Sequence, residues 1–220
     1  MSRYAATVWA VGALLAPFAA GSAIAHPHIF VDARATISFD PAGILASIRN
    51  EWTFDEAFSV WQVQGLDANA DGVTSPEEMQ ALADENLAAL ADFGFYTSVG
   101  EAGQTVPLRL AGAPRFSFAD SRSTLSFTVV PVVPYRIGQR LEIGIADPAY
   151  YVGITFADAS KAMVENLPAS CRSDLVAGRP MSDAVSAELL SLGPDIFQLP
   201  PELAAKLRGS QQEIVITCPK

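Results

Sequence analysis

Histidine is nearly missing from this sequence: the 220 residues contain two, His26 and His28, separated by one proline. Catalysis that relies on an internal histidine base is therefore excluded. The G-x-S-x-G, H-E-x-x-H and C-x-x-C patterns are absent as well, so no enzymatic activity is expected. Cysteine is equally sparse, with only Cys171 and Cys218. Their wide spacing does not suit a redox dithiol or a zinc cluster, and in an oxidising compartment such a pair forms a disulfide. Basic residues are few, with 14 Lys and Arg against 24 Asp and Glu for a net charge of −10. No basic stripe is present, so nucleic acid is excluded as a partner and cations are favoured. Beyond Ala25 no apolar run approaches the roughly 20 residues a spanning helix needs.

The first 25 residues follow a three-part plan. Arg3 gives a positive start, residues 5–20 are almost wholly apolar, and Ala23-Ile24-Ala25 ends the segment with small residues. This is the layout of a secretory signal with an A-x-A cleavage site. A membrane anchor is the competing reading, but the apolar run is short and interrupted by Pro17. The expected mature protein is one exported domain over residues 26–220, located in the periplasm. Removal of Arg3 makes it one charge more negative.

The mature part reads as α+β. Residues 28–39 and 44–53 are rich in β-branched residues and flank Pro41-Ala42-Gly43, as a hairpin would. A helical insert is expected at about 54–93, starting with Phe54, Phe58 and Trp61 at helical spacing and ending in a helix over 77–93. Strand patterns return at 95–99, 106–110, 115–118, 124–133, 140–146, 151–156 and 213–218. Short helices are expected at 182–192 and 201–208. The sum is a largely antiparallel sheet domain with an inserted helix–loop–helix.

Within that insert, residues 67–78 (DANADGVTSPEE) match the twelve-residue EF-hand calcium loop. Asp67, Asn69 and Asp71 stand at positions one, three and five, and Gly72 at the sharp turn. Val73 offers its carbonyl at seven, Ser75 its hydroxyl at nine, and Glu78 a bidentate carboxylate at twelve. A hard cation needs this many oxygens, and alternate side chains of a curled loop converge to supply them. The competing reading is a polar connector with a chance match. Thr74 occupies position eight, where a paired hand carries an aliphatic residue, and no second loop of this form exists in the chain.

Cleavage after Ala25 would place both histidines in the first three mature residues. The free amine and imidazole of His26, with the imidazole of His28, could chelate nickel, copper, zinc or cobalt. Pro27 lacks an amide hydrogen and so cannot provide a deprotonated amide ligand. Asp32 lies on the same strand and could add an oxygen. The competing reading is that His28 simply packs at the start of a strand.

Several short motifs are distributed along the whole mature chain: residues 25–32 (AHPHIFVD), 52–56 (WTFDE), Asp71-Gly72 with residues 75–78 (SPEE), 147–151 (DPAYY) and 216–219 (ITCP). With them the chain resembles the exported family called domain of unknown function number one thousand and seven, whose members are labelled periplasmic components of an uncharacterised ABC-type transport system. The resemblance implies a periplasmic protein often found in genomic company with nickel/cobalt-type inner-membrane permeases, and from it such a permease is the expected partner. Val73-Thr74 departs from the polar–aliphatic pair usual there. Two functions are thus expected to compete. One is a periplasmic metal-binding accessory to transport, with a calcium site. The other is a calcium-stabilised structural or interaction module with no transition metal.

Overall fold

The computed structural model describes residues 27–101, 104–193, 196 and 198–219. The expected signal segment, the cleavage site and His26 lie outside the described residues.

Among the described residues there are twelve strands and four helices, arranged as two largely antiparallel sheets. The chain opens with β1 (Ile29–Phe39) and β2 (Leu45–Phe54), paired antiparallel around the 40–44 turn. Gly43 has φ +73 there, a backbone conformation that costs glycine little. Next come α1 (Glu56–Gln62) and α2 (Gln80–Ala91). After them run β3 (Thr97–Glu101), β4 (Gln104–Thr105), β5 (Leu108–Leu110), β6 (Arg115–Ala119), β7 (Arg122–Pro131) and β8 (Arg140–Ile145). The chain continues with β9 (Val152–Thr155), β10 (Ala162–Glu165), β11 (Arg172–Val176), α3 (Asp183–Leu190), α4 (Pro201–Leu207) and β12 (Glu213–Thr217).

The first sheet has the order β10-β1-β2-β7-β5, with β6 also on β7 and β9 also on β1. The second has the order β11-β12-β8-β3-β4. Strand alternation explains how they meet. Val31, Ala33, Ala35 and Ile37 of β1 point inward, as do Ile48, Trp52 and Phe54 of β2, while Asp32 and Arg34 point out. The inward residues share one core with Val99, Leu141, Ile143, Ile214 and Ile216 of the second sheet. Burial of large side chains contributes roughly 1.5–3 kcal/mol each. A polar link crosses this core, because Asn50 Nδ2 donates to Thr97 Oγ1 at 3.3 Å. Asn50 Oδ1 and Trp52 Nε1 are buried and have no hydrogen-bond partner among the described residues.

Two expectations are corrected, and two strands are added. The helical period does not begin at Phe54, which closes β2. The helix begins at Glu56 because the Asp55 carboxylate caps it by accepting the Phe58 amide at 2.9 Å. Residues 106–110 are not one strand. Pro107 cannot donate a ladder hydrogen bond, and the chain leaves β4 in one sheet to enter β5 in the other at Val106–Pro107. Strands β10 and β11 were not expected: each is a short sheet edge of four or five residues, too short to show a strand period of its own.

Cys171 and Cys218 are disulfide-bonded across a sequence separation of 47. They sit just beyond the Arg172–Thr217 pair, at one end of the β11–β12 ladder. A smaller apolar cluster of Leu189, Leu203 and Leu207 joins α3 to α4. No helix among the described residues is long and apolar enough to cross a membrane.

Candidate cation loop and the strand that begins at His28

The helical pair is pinned to the first sheet before its loop begins. Asp55 Oδ2 accepts the Phe30 amide at 3.0 Å, and the Asp55 amide donates to the Phe30 carbonyl at 2.8 Å. On the far side of α1, Ser123 Oγ donates to Gln62 Oε1 at 2.8 Å and Ser59 is fully buried. At the other end of the loop Met79 is fully buried, and Gln80 Nε2 donates to the Pro114 carbonyl. Residues 67–78 are therefore suspended between two anchored ends.

Inside the loop the acidic side chains organise the backbone. Asp67 accepts the amides of Asp71 at 3.2 Å and Gly72 at 2.9 Å. Asn69 Oδ1 accepts the Asp71 amide at 2.8 Å, and Asp71 Oδ1 accepts the Val73 amide at 2.8 Å. Gly72 has φ +84, the left-handed turn that position six of a calcium loop requires. Glu78 closes the circuit. Its Oε1 accepts the amides of Ala68 and Asn69, and its Oε2 accepts both the amide and the hydroxyl of Ser75 at 2.9 Å. The Ser75 amide, then its hydroxyl, hold the Glu78 carboxyl below its ordinary acidity range, working against partial desolvation.

Asp67, Asn69, Asp71, Ser75 and Glu78 thus all take part in the hydrogen bonds that shape the loop. Val73 contributes its amide to this network, while its side chain is exposed. Four acidic residues lie in residues 67–78 with no basic one. None of the ion pairs among the described residues engages them. The geometry also sets a limit: among the described residues no three His, Cys, Asp or Glu side chains converge as a metal-holding group. A cation here needs the amide oxygen of Asn69, the Ser75 hydroxyl and the Val73 carbonyl as well as carboxylates.

His28 lies elsewhere, at the start of β1. Its amide donates to the Tyr151 carbonyl at 2.9 Å, and its half-buried ring lies 4.8 Å from the Tyr151 ring, centroid to centroid. Pro27 rests on Gly153, where a side chain would come within 3.0 Å of the proline ring. Asp32 is committed to Arg122, whose Nη2 is 2.7 Å from its carboxylate.

The family described as "Protein of unknown function (DUF1007)" matches residues 11–218. The chain belongs to this family. No curated protein matches it. Two of the motifs quoted for the DUF1007 resemblance turn out to hold the fold. Asp55 ties α1 to β1, as described above. Asp147, only 1 % exposed, accepts the amides of Ala149 at 2.8 Å and Val152 at 2.9 Å. Burial, then the charge of Asp147, pushes the Tyr96 phenol well above its ordinary range. The sequence marked Asp147 as part of a motif but gave no sign of Tyr96, whose link to it spans 51 positions of chain.

Proposed function

We propose that this DUF1007 chain is an exported metal-binding accessory protein that holds one calcium ion in residues 67–78 and serves a periplasmic metal-transport system. The observation that carries the reading is the set of oxygen-bearing side chains that order one anchored loop, which has four acidic residues and no basic one. Repulsion among like charges held together is relieved by a cation. The donors are all oxygen, which suits calcium rather than a soft metal. Asp67, Asn69, Asp71, Ser75 and Glu78 would supply side-chain oxygens and Val73 its carbonyl. A bound calcium ion would supply the positive charge that fixes α1 relative to α2.

The transport side of the proposal rests on the two histidines and the acidic surface. With a cleaved terminus, the amine and imidazole of His26 and the imidazole of His28 would take nickel, copper, zinc or cobalt, for transfer to an inner-membrane permease. A second reading, a calcium-stabilised structural module, is favoured by one observation: the His28 ring already lies against Tyr151, a packing role that needs no metal.

Calorimetric titration of protein with its native, untagged terminus separates the two. The accessory reading expects one calcium site abolished by Glu78→Gln, and one transition-metal site abolished by His26→Ala and unaffected by Glu78→Gln. Calcium binding alone supports the structural module, and binding of neither class of metal sinks both readings.

A further inference from the structure

Asp71 and Gly72 are both exposed, and theirs is the chain's one Asp-Gly bond; no Asn-Gly bond exists in the sequence. Three groups meet at it. Asp71 Oδ1 accepts the Val73 amide at 2.8 Å, which closes an Asx turn. Closing that turn folds the Asp71 side chain back along its own backbone, so its carboxyl carbon Cγ is turned toward the intervening Gly72 nitrogen. The Gly72 N–H in turn donates to Asp67 Oδ2 at 2.9 Å. A nitrogen nucleophile, an electrophilic carbon and a carboxylate that can take a proton thus stand together.

The same turn recurs elsewhere, and each time a condition is missing. Asp40 accepts the amide of Ala42 at 2.9 Å, and Asp147 that of Ala149 at 2.8 Å. The residue between is Pro41 in one case and Pro148 in the other, and a proline nitrogen has no hydrogen to lose. Asn69 accepts the amide of Asp71 at 2.8 Å, and Asp158 that of Ser160 at 2.7 Å. There the residue between is Ala70 or Ala159, whose Cβ crowds any ring that closes on its nitrogen. Gly72 has no Cβ. The place one would take is open, since nothing beyond the chain neighbours comes within 4 Å of it.

We propose that Asp71 is a site of spontaneous covalent modification, isomerising through a cyclic imide to isoaspartate. The Gly72 nitrogen bonds to Asp71 Cγ and passes its proton to Asp67. The Cγ–OH bond of the acid form of Asp71 breaks, and the hydroxyl leaves with a proton as water. A water molecule then adds to the imide. Addition at Cγ restores aspartate. Addition at the main-chain carbonyl carbon of Asp71 breaks its bond to the Gly72 nitrogen. The chain is then linked through Cγ, and the free carboxylate sits on the former main-chain carbon. Nothing is oxidised or reduced, and water is the only co-reactant. The product lengthens the loop backbone by one methylene and removes the carboxylate that accepts the Val73 amide and Asn69 Nδ2. The site goes beyond the cation reading and does not depend on it.

The test incubates the full, folded chain with chelator at neutral pH in water labelled with ¹⁸O. Peptide mass spectrometry with electron-transfer fragmentation locates isoaspartate and the label. The expected result is ¹⁸O-labelled isoaspartate at Asp71, formed at least as fast as in the same chain unfolded in urea. Asp40, Asn69, Asp147 and Asp158 are expected to stay unchanged. Asp71→Asn keeps the turn and carries an uncharged leaving group that needs no prior protonation. It is expected to form the imide at least about tenfold faster, with loss of ammonia. Absence of labelled isoaspartate at Asp71, or a folded rate below the unfolded one, overturns the proposal. An Asp71→Asn rate no higher than that of the wild type removes the imide route and the proposal with it.

Discussion

The Glu78 carboxylate accepts the amide of Ala68 at 3.0 Å, ten residues upstream, so the last side chain of the acidic loop fastens its first turn. The same carboxylate binds the amide and hydroxyl of Ser75 through its other oxygen. One side chain therefore holds the loop at both ends, and both of its oxygens face the donors that shape it. In a calcium loop this residue completes the coordination shell with two oxygens. Glu78 is accordingly where stability and the proposed calcium site would meet.

Calcium is expected to raise the melting temperature, because a ligand that binds only the folded state stabilises it by mass action. At a calcium concentration ten times its dissociation constant the gain is about 1.4 kcal/mol. Glu78→Gln keeps the shape and removes the charge. It is expected to abolish the calcium-induced shift while lowering the calcium-free melting temperature only modestly. Differential scanning calorimetry with calcium and with chelator reads both effects. An identical calcium shift in the variant would show that the ion binds elsewhere.

The same residue sets an acid limb. Its folded-state pKa lies below the ordinary value of 4.5, chiefly because of the Ser75 amide. Its contribution is therefore complete above the unfolded value and fades as pH falls through the lower, folded one. Urea midpoints measured across the acid range are expected to converge for wild type and Glu78→Gln at the acid end and to separate above pH 4.5. A constant gap down to the lowest pH would mean that the Glu78 charge is not what the loop uses.

The parts of the fold carried by local pattern were legible in the sequence. Alternation from Ile29 to Phe39 announced β1, and the run of polar residues from Asp67 to Glu78 announced a connector between two helices, because both signals lie within a dozen residues. What could not be read depends on distant partners. Strands β10 and β11 have no apolar periodicity of their own and exist because β1 and β12 offer them an edge. Asp147 lay inside a quoted motif, yet its role appears only once Tyr96 and Val152 are brought to it.

The disulfide is expected to contribute stability mainly through the unfolded chain. Closing a separation of 47 residues is worth about 4 kcal/mol in the chain-entropy treatment. Cys171→Ser/Cys218→Ser should therefore unfold at a clearly lower urea concentration, with the β11–β12 end of the second sheet losing amide protection first. Hydrogen exchange on the variant locates the loss. Uniform loosening of both sheets would count against this account.

Asp147 is expected to be the most sensitive single position in the chain. Its carboxylate accepts two backbone amides while 1 % exposed. Asp147→Ala leaves both amides without their acceptor. Each costs roughly 1–3 kcal/mol, so a loss of about 2 kcal/mol or more is expected. Asp147→Asn keeps an acceptor oxygen and should cost less. Urea midpoints at unchanged slope provide the numbers. A cost for Asp147→Ala within about 0.5 kcal/mol, the range of an ordinary surface change, would remove the clamp from the account. The position matters beyond stability because Val152, held by Asp147, pairs with Ile29 next to His28. Loosening the clamp would therefore free the strand start that carries the candidate metal-binding histidine, and the amide signals of residues 28–31 should report it together with the fall in stability.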